Sequence, residues 1–134
     1  MTSVEEHKNT VAELLADINE KIRAGILVRR QKLVGFAASE ASTNMFELFL
    51  HKKNLITPGF NVNHKYFASF KRANDVFVQD FERKAQIIEM LVIQEGFRDK
   101  LCYGKSKSDE MVNEAVKNLF ELKTELEELI GEKL

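Results

Sequence analysis

An arginine, an acid and an aromatic hydroxyl fall within six positions of one another in Phe97-Arg98-Asp99-Lys100-Leu101-Cys102-Tyr103-Gly104. Arginine can grip a phosphate through two parallel N–H bonds. A phenol can donate a hydrogen bond to the same group, and a neighbouring carboxylate can orient the guanidinium. Gly104 is placed to end the apolar-periodic helix that runs into this segment. Three polar side chains thus crowd one helix terminus, where they can be aimed outward together. The reading assigns Arg98 to hold phosphate, Tyr103 to donate a hydrogen bond and Asp99 to orient Arg98; the same three are the catalytic candidates if the protein is an enzyme.

Other chemistry is sparse. The three histidines, His7, His51 and His64, lie far apart, and none stands in a Glu-x-x-His pair or a His-Glu-x-x-His motif. Glu47 and His51 share a helix face at i and i+4, but one pair is too few ligands for a site. No metal and no cofactor are therefore expected. There is no glycine-rich strand-to-helix turn to cradle a nucleotide phosphate. Cys102 would need a lowered pKa to act as a nucleophile; Arg98, four residues earlier, could favour a thiolate, but an inert buried thiol is the expectation.

Charge is unevenly spread. Residues 23–72 carry nine basic against two acidic side chains, while residues 109–134 carry three against eight. Such asymmetry can serve a polyanion, or acidic terminal helices can fold against a basic middle, which is the expected use. Lys52, Lys53, Lys65, Lys71 and Arg72, with Tyr66 among them, flank the turn at Pro58-Gly59 and are the candidate nucleic-acid contacts.

The Arg98–Tyr103 segment resembles the signature of the HEPN superfamily (higher eukaryotes and prokaryotes nucleotide-binding domains). That motif is an Arg, a polar residue, a few intervening residues and a His, often followed by Gly. Arg98, Asp99, the four-residue gap and Gly104 match it, and Tyr103 stands where the family has histidine. The long helix before, the loop after and the terminal amphipathic helix come in the family's order, so the similarity runs from about Leu33 to Leu129. It implies an all-helical fold and one of two roles. Active members cleave RNA without metal, using the Arg and His of a dimer. Others pair with small nucleotidyltransferases or serve as binding modules. Tyrosine titrates near pH 10, about three units above what general acid–base work at neutrality favours. The departure at Tyr103 therefore favours a binding or interaction module for RNA, a nucleotide or a nucleotidyltransferase-type partner, not strongly catalytic. A metal-independent ribonuclease using Arg98 and Tyr103 is the first alternative. A structural helical protein oligomerising through Leu119, Leu122, Leu126 and Leu129 is the second.

These residues must be positioned by helices. With 134 residues, 44% of them hydrophobic, the chain fits one domain, residues 1–134, with a substantial core. One Pro, six Gly and no period-two run of β-branched residues argue against strands. A first helix is expected from a Ser3/Glu6 capping box to Ala24-Gly25. A second, from about Leu27 to Lys53, carries small residues between Gly35 and Ser42 that would admit a close neighbour. A loop spans 54–63. The pattern from 63 to 103 should break between Ala73 and Asp80, and Ser106 or Ser108 caps a last helix that Gly131 ends. The expectation is an all-α, up-and-down bundle of four to five helices, with Phe46, Phe49, Phe67, Phe70, Phe77 and Phe81 in its core. No membrane span and no signal peptide are visible. A cytoplasmic homodimer is the expected setting.

Overall fold

The computed structural model describes residues 4–134 and is an all-α bundle without strands among them. Its helices are α1 (Val4–Arg23), α2 (Gln31–Lys52), α3 (Phe70–Val76), α4 (Lys84–Cys102) and α5 (Asp109–Ile130), with 3₁₀ turns at Val28–Arg30 and His64–Phe67. The Ser3 cap lies outside the described residues.

Local signals account for most boundaries. After α1, Gly25 adopts φ +69°, and the Ile26 N–H reaches back to the Lys21 carbonyl while Gly25 N–H reaches Ile22. This paired closure satisfies carbonyls that the helix end would orphan, and glycine takes the left-handed position without a Cβ penalty. Leu27, expected to start the second helix, instead leads into the 3₁₀ turn, and α2 begins at Gln31. Asn54, at φ +55°, ends α2 in the same way, with Leu55 N–H bonded to Leu50 O. Ser108 caps α5 by accepting from Met111 N–H, and Gly131 closes it.

The 63–103 stretch breaks where expected, with α3 ending at Val76 and α4 starting at Lys84, but it also breaks earlier. Asn63 accepts from Lys65 N–H and Ser69 from Arg72 N–H, so two side-chain caps split residues 63–76 into two short pieces. The split lets Phe67 and Phe77 stack at 5.5 Å between ring centroids and meet Phe46 edge-on. Phe49 and Phe81 extend the cluster. Phe70 does not join it: it sits in the first turn of α3 with 46% of its surface exposed, on the face away from the core.

Helix directions follow from the cross-links. Gln31 at the start of α2 exchanges two hydrogen bonds with Lys107 beside the start of α5, and Lys52 at the end of α2 pairs with Glu132 beyond the end of α5. These two helices are parallel. His7 early in α1 meets Asn44 and Glu47 late in α2, and Cys102 ending α4 donates to Lys32 O beginning α2, so α1 and α4 run antiparallel to α2. The four long helices therefore alternate in direction. α2 packs against all three others and buries most of its surface, leaving Leu33 and Phe36 near its start exposed. A methyl added at Gly35 would lie 2.8 Å from Leu101 Cβ, which shows how closely α4 approaches.

The α5 stripe faces inward. Leu119, Leu122 and Leu126 are fully buried in the shared core and Leu129 packs at its edge. They close the core of the chain, their apolar surface covered by α2 and α4. No helix of the described residues is long and apolar enough to cross a membrane.

Candidate functional site

The fold separates the three residues of the Arg98–Tyr103 segment. Arg98, one turn before the end of α4, points across to α2. Its Nη1 donates to Glu40 Oε1 at 3.0 Å and to Ser39 Oγ at 3.2 Å, and its guanidinium lies 5.1 Å from the Phe36 ring centroid. Its side chain is 13% exposed. Tyr103 follows the helix in extended conformation and is 64% exposed, with no hydrogen bond or ring contact to Arg98 among the described residues. Asp99 is exposed, and the carboxylate that orients Arg98 is Glu40. Arg98 is thus engaged by α2, which supplies a nearer and better desolvated partner than solvent does, while Asp99 and Tyr103 stay exposed.

The basic residues divide too. Lys52 is paired with Glu132, and Lys71 with Asp75 on its own helix. Lys53, Lys65 and Arg72 are exposed and make no ion pair among the described residues. The acidic C-terminal segment also answers Arg83 through Glu125 and Glu128. Part of the charge asymmetry is therefore internal, with the acidic end folded against basic groups. Cys102 donates to a backbone carbonyl, and burial pushes its thiol above the usual range despite the opposing pull of Arg98. It is not a prepared nucleophile.

A different set of residues converges. Between α1, α2 and the connection after α2 lies a cleft of about 300 Å³, lined by His7, Glu40, Thr43, Asn44, Glu47 and residues 61–64. Val62 is the one apolar side chain in this lining; every other residue there can hydrogen-bond. His64 at the rim bonds Glu95 of α4 at 2.7 Å. Glu40 forms a wall of the cleft and is the carboxylate that holds Arg98, so Arg98 stands directly behind it.

His7, Glu47 and His51 meet at the side of this cleft, their candidate ligand atoms all within 4.8 Å of one another. Asn44, Glu47 and His51 occupy one face of α2, at steps of three and four, and His7 continues the buried line of Val11, Leu15 and Ile18 on α1. Sequence reasoning saw the Glu47–His51 pair but expected no metal, since His7 lies forty positions from Glu47. The available signal was a histidine in the apolar stripe of α1 and three polar residues in register on α2.

No family model matches this chain, and no curated protein or solved structure matches it significantly. Among the described residues, fold and geometry define a four-helix bundle with one short additional helix and a polar cleft beside α2.

Proposed function

We propose that this protein is a HEPN-like binding module that takes a nucleotide, free or at an RNA end, in the cleft beside α2. The observation that carries the reading is the cleft itself: its walls are amide, hydroxyl, imidazole and carboxylate, with the Arg98 guanidinium held behind Glu40. Thr43, Asn61 and Asn63 offer donors and acceptors suited to the edge of a base. Arg98 can exchange Glu40 for a phosphate, and the exposed, unpaired Lys65 directly follows His64 of the cleft lining. Arg98 is held by Glu40 and Ser39 while Tyr103 is exposed with no hydrogen bond to it, which supports a binding role over cleavage by that pair. Leu33 and Phe36 on α2 and Ile93 on α4 remain exposed, and a homodimer or a nucleotidyltransferase-type partner would cover them. Such a role belongs in the cytoplasm, where nucleotides and RNA are at hand.

Calorimetric titration with ATP, GTP and a short single-stranded RNA tests this. Saturable binding to at least one is expected, weakening with salt. Asn61→Ala and Arg98→Ala should each weaken it about tenfold or more at unchanged helicity, the worth of one or two hydrogen bonds, one of them charged. Wild-type protein that binds none of the three, or variants that bind as wild type does, would end the proposal.

A further inference from the structure

We infer that His7, Glu47 and His51 form a binding site for a divalent first-row metal ion, zinc being the best fit. The argument starts with the orientation of each donor. Asn44 Nδ2 donates to Glu40 O at 2.8 Å, which turns Asn44 Oδ1 toward His7. Oδ1 lies 2.7 Å from His7 Nδ1 and can only accept, so Nδ1 carries the proton and donates it. That fixes the tautomer of the neutral ring and leaves a lone pair on Nε2, aimed at Glu47 Oε2. The other oxygen of Glu47 is engaged by Val62 N–H at 2.6 Å. Oε2 is therefore the free atom, and it too presents only lone pairs. His51 Nε2 stands 3.6 Å from the same oxygen.

Two buried lone-pair atoms facing one another repel unless a proton or a cation lies between them. His7 Nε2, Glu47 Oε2 and His51 Nε2 are all buried, and none makes a hydrogen bond of sound geometry. His7 and Glu47 are each 4% exposed. Buried polar atoms left without partners cost stability, and natural cores rarely keep three together. A second proton on His7 would reconcile that ring with Glu47 but leave His51 unmatched. One divalent cation serves all three.

The set has the features of a metal centre. Two imidazoles and a carboxylate are a common zinc ligand group, and softness excludes magnesium or calcium as the preferred ion. Ligands around a tetrahedral zinc stand about 3.3 Å apart at ordinary bond lengths. The 3.6 Å between His51 and Glu47 needs almost no change, while His7 has to draw back from Glu47 and stay within reach of His51, the three donor atoms now lying within 4.8 Å of one another. Asn44 and the Val62 amide act as the outer groups that orient ligands, and such partners typically alter affinity 10–100-fold. Three protein donors leave a fourth position. His7 and Glu47 also line the polar cleft, so water or a donor atom of a cleft ligand completes the coordination from that side. The metal site stands on its own geometry and does not require that the cleft ligand be a nucleotide.

The test is titration of EDTA-stripped protein with zinc alone, read by calorimetry, and with cobalt(II), read by visible absorption. One ion per chain, a cobalt spectrum of tetrahedral type and a raised melting temperature are expected. His51→Ala should lose about 100-fold or more in affinity, and Asn44→Ala about tenfold or more. If His7→Ala fails to fold, His51→Ala decides, because His51 lies nearer the surface and its loss leaves the His7–Asn44 bond in place. Folded wild-type protein without saturable zinc or cobalt binding overturns the inference, as does a His51→Ala variant that binds like wild type. Nucleotide binding without metal binding would sink this site alone, and metal binding without nucleotide binding would sink only the module reading.

Discussion

Arg98 shows how much one side chain depends on its neighbour across a helix interface. A terminal arginine in solution would be a ready phosphate clamp, yet here Glu40 and Ser39 take its N–H groups and Phe36 covers its face. Cys102, four residues on, feels both that guanidinium and its own burial. Burial is the larger influence and raises the thiol pKa, so the neutral form is favoured in the folded chain. Alkylation by iodoacetamide at pH 8 should therefore be slower than for a thiol peptide, accelerating only as pH passes the ordinary thiol range; intact-mass kinetics would show it. The same shift fixes a sign for stability. The contribution is complete below the unfolded thiol pKa and is lost as pH rises through the folded one.

At the scale of elements, α2 organises the molecule. Its small residues bring α4 close enough that Gly35 has no room for a methyl group, with Leu101 Cβ 2.8 Å and Cys102 Sγ 3.3 Å from where one would lie. Helix propensity alone would make Gly35→Ala stabilising by about 1 kcal/mol. Overpacking against a rigid Cβ typically costs about 1–3 kcal/mol and should prevail. A net loss of about 1 kcal/mol by urea denaturation is expected, together with weaker burial of Cys102. The caps and stops were legible in the chain because they are local: Ser108, Gly25 and Gly131 act through amides a few residues away. The start of α2 was less legible, since Gln31 is held by the distant Lys107. The extra break at Ser69 answers to Phe67 and Phe77 packing on Phe46, which no local pattern records.

For the whole molecule, the C-terminal helix closes a core shared with α2 and α4. Leu122→Glu would place a carboxylate among fully buried apolar side chains. We expect a loss of about 4 kcal/mol or more, seen as reduced helicity and a lowered melting temperature. A change in particle mass with helicity intact would instead indicate an oligomer seam on α5. The acidic C-terminal segment pairs with Lys52 and Arg83, so part of the charge asymmetry serves the monomer.

By itself the amino-acid order determined the all-helical class, most helix ends, the break after Ala73 and the small-residue stretch of α2 that admits a close neighbour, since spacing, caps and residue size act along the chain or average over a face. Only the tertiary structure decided which side chains meet. It paired Arg98 with Glu40, and it set His7 against Glu47 and His51. Those pairings depend on the rotation and register of one helix against another, which a sum of many packed side chains selects and no short segment encodes.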